Sequence, residues 1–178
     1  MPTLRKANKN LKRIILIVVV LCFCVGCDQA TKTVAKGHLP SSQPVYVIGD
    51  VFLFQYEENP GSFLGLGTNL SHAIRFWLLI VLVGLVLVGA LGLILFSPNI
   101  HPVNVIAASL VIGGGLSNLV DRLLNEGMVV DFMNVGIGSV RTGVFNLADV
   151  AIMVGGGLAV VWNAFLADAR IDTRGKAT

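Results

Sequence analysis

The chain has 178 residues, of which 54% are hydrophobic and only 13% charged, and its formal net charge is +3. A soluble globule carries about 25% charged residues to keep its surface solvated; this chain, with a mean hydropathy of +0.80, has too little polar surface to wrap its apolar mass. The same hydrophobicity excludes intrinsic disorder, which leaves an integral membrane protein of single-domain length, residues 1–178.

In chain order, Arg5, Lys6, Lys9, Lys12 and Arg13 precede the first apolar run, Ile14 to Gly26. That run spans only about 20 Å as a helix. One reading is a cleavable signal peptide, because Cys24-Val25-Gly26-Cys27 resembles a weak lipobox. The favoured reading is a retained span over 12–34, in which Asp28 and Lys32 neutralise each other as i,i+4 neighbours. Cys22, Cys24 and Cys27 have no companion ligands for zinc and no spread for a disulfide framework, so they read as buried small hydrophobes.

The outer loop 35–73 follows. Within it Val45–Tyr56 alternates around Gly49-Asp50, which predicts a β-hairpin with a two-residue turn. Glu57 and Glu58 read as solvated loop charges. From Phe76 to Val120 there is no Asp, Glu, Lys or Arg, enough for two spans of about 20 residues. They are placed at 74–96 and 103–120, with Ser97–Pro102 as the turn. A second outer loop, 121–146, contains a strand-like Val129–Met133. The last span is 147–166, after which come Arg170, Arg174 and Lys176. Trp77 and Trp162 fall near span ends, where indoles favour the interface. The triplets Gly113–Gly115 and Gly155–Gly157 predict close helix–helix approach rather than phosphate binding.

The fold class expected is therefore an all-α membrane protein, a four-transmembrane-helix bundle with a small extramembrane β element on its outer face. Basic ends place both termini in the cytoplasm. Terminal positive charge without a basic face or stacking aromatics argues against nucleic acid.

On this topology Asp28, Gln29 and Lys32 close the first span, Asn118, Asp121 and Arg122 close the third, and Asn146 and Asp149 open the fourth. Asp131 lies in the connection. All sit at the outer boundary, and intramembrane charges are functional candidates by default. His38, His72 and His101 are scattered, so metal catalysis has no ligand set, and no serine has an obvious base. Paired carboxylates remain: two in contact share a proton, so one can take a proton from water while the other polarises a carbonyl. Plainer readings stand beside this one. Asp121 and Arg122 could be an interfacial ion pair, and Asp28 and Lys32 could merely satisfy each other. Asn118 and Asn146 could be interhelical glue, Ser117 a packing residue, and Asp149 a favourable charge at a helix N-terminus.

At these residues the chain resembles the bacterial lipoprotein signal peptidases, the type II membrane aspartic peptidases. Asp28-Gln29-Ala30-Thr31-Lys32 is similar to the family's Asp-Gln-x-Thr-Lys, and 113–122 resembles Gly-Gly-Ala-x-Gly-Asn-x-x-Asp-Arg. Val130-Asp131-Phe132 and Phe145–Asp149 resemble the two blocks that carry the catalytic aspartates. The resemblance implies catalytic Asp131 and Asp149. Asn118, Asp121, Arg122 and Asn146 would support site and substrate, and Asp28 and Lys32 would position them. Asn59 and Gly61 keep the spacing of the family's Asn-x-Gly-Ala-Ala-Phe, although Asn59–Phe63 is one residue shorter, and Ser117 stands where the family has Gly. The implied substrate is a prolipoprotein with a diacylglyceryl-Cys, cut just before that Cys, in the bacterial inner membrane near the outer leaflet. Membrane lipids are the other expected partner; no metal, no cofactor and a monomer are expected. It also implies that Cys27 belongs to the processing enzyme's own span. A proton relay and a non-catalytic scaffold are the rival readings.

Overall fold

The computed structural model describes residues 2–40, 43–62 and 66–175, with side chains described only between residues 8 and 166. Phe63, and the basic side chains expected to flank the spans at Arg5, Lys6, Arg170, Arg174 and Lys176, lie outside that description. Four helices are long and apolar enough to cross a membrane: Asn8–His38, His72–Phe96, Pro102–Leu124 and Leu147–Leu166. Their outward faces are apolar throughout: Phe96 is 83% exposed and Phe165 72%. A belt of that kind is solvated by hydrocarbon, not water.

Helix α1 (Pro2–His38) runs unbroken through Asp28 and Lys32, as the retained-span reading requires. The second crossing is α2 (His72–Arg75), a π-helical stretch (Phe76–Leu82) and α3 (Val83–Phe96) in direct succession. Ser71 caps its start by accepting from Ile74 N. Helix α4 (Pro102–Leu124) begins with Pro102 in its first turn, where the missing N–H is harmless, and His101 accepts from Val103 N. It ends four residues later than the expected 120, so Asp121 and Arg122 belong to its last turn. Helix α5 is Leu147–Gly175.

The glycine triplet at 113–115 explains why α4 is central. A Cβ on Gly113 would meet Cys24 Cβ of α1 at 2.8 Å, one on Gly115 would meet Leu87 Cδ2 of α3 at 2.7 Å, and one on Gly114 would press on the Ala148 carbonyl of α5. Successive helical residues point about 100° apart, so three consecutive glycines receive three different helices. The second triplet is only partly of this kind. A Cβ on Gly155 would meet Ala107 O at 2.6 Å, but one on Gly156 or Gly157 would meet nothing within 4 Å. At the opposite end of the bundle, Arg13 of α1 donates to the Leu95 and Ser97 carbonyls, two of the orphan acceptors at the C-terminus of α3.

Outside the bundle, β1 (Val45–Ile48), β2 (Phe52–Asn59), β3 (Val129–Ile137) and β4 (Val140–Arg141) form one sheet in that order, each pair antiparallel. The β1–β2 hairpin exists, but three residues, 49–51, join its strands rather than two. The tightening bond is Val51 N to Ile48 O, and the register shifts between Tyr46 and Ile48. Glu57 and Glu58 are strand residues, not loop charges: both lie in β2, and Glu58 accepts from Tyr56 Oη at 2.7 Å. Phe132 and Met133 of β3 pack on Ala35 with Phe54 and Leu147 around them. The sheet therefore seats on the C-terminal end of α1, and β3 passes over the mouth of the bundle.

Candidate active site

On α1, the i,i+4 spacing of Asp28 and Lys32 turns both toward α4. Lys32 Nζ contacts Asp28 Oδ2 at 2.6 Å, Asp121 Oδ2 at 2.8 Å and Asn118 Oδ1 at 2.9 Å. An ammonium has three protons, and each has an acceptor. Asp28 is wholly buried; its Oδ1 accepts from Ala148 N at 2.8 Å and its Oδ2 from Ser117 Oγ at 2.7 Å. The Ala148 N–H is one of the unpaired donors of the first turn of α5, so Asp28 caps a helix 120 residues away. Asp121 accepts from Gln29 Nε2 at 2.7 Å and from Val130 N at 3.1 Å. That last bond ties the end of α4 to the start of β3 and delivers Asp131.

The start of α5 builds the other half. Asn146 Oδ1 accepts from Asp149 N at 3.0 Å, while Asp149 Oδ2 accepts from Asn146 N at 3.2 Å. This reciprocal pair has the logic of a capping box. Asp149 Oδ1 accepts from Asn118 Nδ2 at 3.0 Å. The Asn146 amide then reaches the second aspartate: its Nδ2 donates to Asp131 Oδ1 at 2.6 Å, and also to Asn118 Oδ1 at 3.1 Å. Asp131 Oδ2 accepts from Asn59 Nδ2 at 2.9 Å. Asn59 Oδ1 holds Gly61 N at 2.8 Å, and the Gly61 carbonyl accepts from Arg122 Nη2 at 2.7 Å.

All the residues singled out from sequence thus join one connected network: Asp28, Lys32, Asn59, Gly61, Asn118, Asp121, Arg122, Asp131, Asn146 and Asp149. Two of the plainer readings are corrected. Asp121 and Arg122 make no ion pair among the described residues; Asp121 turns to Lys32, while Arg122 turns to the Gly61 and Asn118 carbonyls. Ser117 is no mere packing residue, since its hydroxyl donates to Asp28 and accepts from Gln29. Gln29 and Ser117 were not singled out as site residues, yet both complete the bonds of Asp28 and Asp121. The signal available was their position inside the two motif blocks.

A cavity of about 360 Å³ opens in front of this network. Asp131, Asp149, Asn118, Asn59 and Arg122 form its polar wall, and Leu79, Val83, Ile152 and Met153 its apolar one. Asp131 is 2% exposed. Burial pushes its carboxyl up to about 7, the Asn59 amide opposes that, and the neighbouring Asp149 adds to it. Counted by formal charge, four carboxylates (Asp28, Asp121, Asp131, Asp149) face two cations (Lys32, Arg122), so a proton on one of the last two aspartates relieves the excess. Among the described residues no three His, Cys, Asp or Glu side chains converge as metal ligands. The arrangement can therefore hold a water between two carboxyls, one protonated and one not, beside an apolar groove.

Comparison with known proteins gives the same direction. The family model described as signal peptidase (SPase) II matches residues 18–165. A lipoprotein signal peptidase of Leifsonia xyli subsp. xyli (strain CTCB07) is 36% identical over 152 residues, covering 82% of this chain and 64% of the relative. One of Chlorobium phaeobacteroides (strain BS1) is 36% identical over 156 residues, covering 83% of this chain and 94% of the relative. A solved bacterial membrane enzyme, determined by the in meso method at 2.3 Å resolution, superposes with a TM-score of 0.72 at 26% identity, covering 86% of this chain and 88% of its own.

Proposed function

The chain belongs to the signal peptidase II family of aspartic peptidases, and from that premise we propose that Asp131 and Asp149 activate the water that cuts a prolipoprotein just before its diacylglyceryl-Cys. The observation that carries the proposal is the Asn146 side chain, whose amide N–H binds Asp131 while its carbonyl and the backbone beside it bind Asp149. One residue thus sets the spacing of both acids.

The reaction needs one acid protonated and the other ionised, and we assign the shared proton to Asp131. Asp131, raised to about 7 by burial, holds the shared proton and donates a hydrogen bond to the scissile carbonyl. Asp149, ionised, takes a proton from water as the hydroxide adds to that carbon. The developing oxyanion is met by the Asp131 proton, with the Asn118 and Arg122 donors on the same wall of the cavity. Collapse breaks the C–N bond. The proton gained by Asp149 goes to the leaving amine, which becomes the new N-terminal Cys, and the signal peptide leaves with a new carboxyl group.

Membrane geometry supports the substrate assignment. With both termini cytoplasmic, the network lies just under the outer headgroups, the depth at which a diacylglyceryl group holds its cysteine. The apolar wall of Leu79, Val83, Ile152 and Met153 faces the helix-exposed side where lipid chains run, so anchoring supplies positioning at little extra entropy. A proton relay would need ionisable groups through the inner half; the core there is the cluster of Ile17, Ile94, Val105 and Ile112, and the polar side chains of α4 beside it, Asn104 and Ser109, are not ionisable.

The test is cleavage of a purified diacylated prolipoprotein in the presence of a chelator. Wild type is expected to cut, while Asp131→Asn and Asp149→Asn each lose about 10²–10⁴-fold or more in rate and remain inserted. Near-normal cutting by either variant, or loss of wild-type activity to the chelator, overturns the proposal.

A further inference from the structure

The end of the bundle remote from the aspartates holds a second cavity, of about 240 Å³, between the first turns of α1 and the α3–α4 connection. Lys9, Lys12 and Arg13 line one side of it, and Leu16, Ile100 and Val105 the other. Arg13 and Asp28 are separated by about 22 Å of helix at 1.5 Å per residue. With Asp28 under one set of headgroups, the cavity therefore lies at the level of the other.

Among the described residues its charge is uncompensated. The chain carries no Asp or Glu before Asp28, nor any between Glu58 and Asp121, so neither wall can supply a counter-ion. Among the described residues no carboxylate pairs with Lys9, Lys12 or Arg13. The two terminal nitrogens of Arg13 are fixed on the Leu95 and Ser97 carbonyls, which holds the guanidinium in place, and its Nε is buried with no partner. A fixed guanidinium, two free ammonium groups and an apolar floor of partly buried Leu16 and Ile100 over Val105 match one ligand chemistry: an anion attached to acyl chains.

We infer that this cavity binds an anionic phospholipid, its phosphate and headgroup against Lys9, Lys12 and Arg13 and an acyl chain along Leu16, Ile100 and Val105. Basic pockets between helix ends at a membrane surface favour such headgroups. A free phosphate would share the charged half of the site but leave the apolar floor wet. The inference leans on the proposed orientation only in naming the cytoplasmic leaflet. No residue of the cavity belongs to the outer network, so its failure leaves the peptidase reading standing.

The experiment measures binding of dioleoyl phosphatidylglycerol and of dioleoyl phosphatidylcholine to the delipidated full-length protein by native mass spectrometry. The anionic lipid is expected to saturate at one copy and to bind more tightly than the zwitterionic one. Lys9→Gln with Lys12→Gln should weaken it by about thirty-fold, whereas Lys36→Gln with Arg75→Gln, the same loss of charge outside the cavity, should change it by less than about threefold. Ile100→Trp, which fills the cavity and keeps every charge, should also abolish tight binding. Equal affinity for the two lipids, equal loss in both double variants, or indifference to Ile100→Trp overturns the site. Displacement by millimolar inorganic phosphate would overturn its assignment to a lipid.

Discussion

The third of the bundle beneath the sheet, its outer third on the proposed orientation, and the opposite, inner half hold the same helices together by different forces. Around Ile17, Ile94, Val105 and Ile112 the inner half is apolar packing, and α4 is drawn close to its neighbours by glycine at 113–115. Hydrocarbon outside is as apolar as the core inside, so burial from water contributes little there, and dispersion and shape decide. In the outer third, buried carboxylates, amides and cations bind one another: Asp28, Lys32, Asn118, Asp121, Asn146 and Asp149 each carry two or more hydrogen bonds or ion contacts. Apolar packing tolerates small shifts; a network whose buried donors and acceptors are nearly all paired, Arg122 Nε being an exception, does not. The comparison teaches that the inner half makes the bundle and the outer third sets its register to within hydrogen-bond tolerance.

Removing one member from each region should expose that asymmetry most strongly. Lys32→Met leaves Asp28 and Asp121 buried without their cation and is expected to cost about 3–5 kcal/mol, whereas Ile112→Val in the inner core should cost about 0.5–1.5 kcal/mol. Equilibrium unfolding in detergent measures both, and similar losses would break the comparison.

The protonation state of the outer region gives the next effect. The folded Asp131 carboxyl titrates at about 7, above its ordinary 3.8, so the native state binds more protons than the unfolded chain between those values. Its contribution to stability is then full below the lower value and is lost as pH rises toward 7, with a slope of up to about 1.4 kcal/mol per pH unit. Asp131→Asn should flatten that part of the profile, as read from melting temperatures between pH 4 and pH 9. An unchanged slope would mean that Asp131 is ionised throughout.

At the junction of the two regions, Gly114→Ala places a methyl group against the Ala148 carbonyl. An α4–α5 separation costing about 1–3 kcal/mol is expected, and with it a fall in prolipoprotein cleavage, because Asp149 rides on the same turn of α5. Gly156→Ala, which meets nothing within 4 Å, should stay within about 0.5 kcal/mol and cut normally. A smaller effect than that of Gly114→Ala belongs to Ser117→Ala. It removes one of the bonds to Asp28 Oδ2 while Lys32 keeps the other, so a loss of about 1 kcal/mol is expected.

Much of this was legible without coordinates where the interaction is local. The Asp28–Lys32 contact follows from helical spacing, and so does the favourable place of Asp149 in the first turn of α5. Adjacent residues misled for the same reason: Asp121 and Arg122 are neighbours in sequence, but consecutive helical side chains point about 100° apart, so they face different partners. The extra turn of α4 was hidden because charged residues read as the end of a span, although here they are buried and paired.

The sequence alone determined the four crossings, since about 20 apolar residues can satisfy their backbone in hydrocarbon only as helix. It also determined that every buried charge outside the terminal segments would gather toward one face of the membrane. Only the tertiary structure decided that β3 pairs with β2 and is tied through Val130 to Asp121. It alone decided, too, that Asn146 bridges Asp131 and Asp149. These contacts join segments as far apart as Phe52 and Val135, and no periodicity encodes them; they exist because burial in the bundle drives polar groups to find partners, and the fold leaves them these.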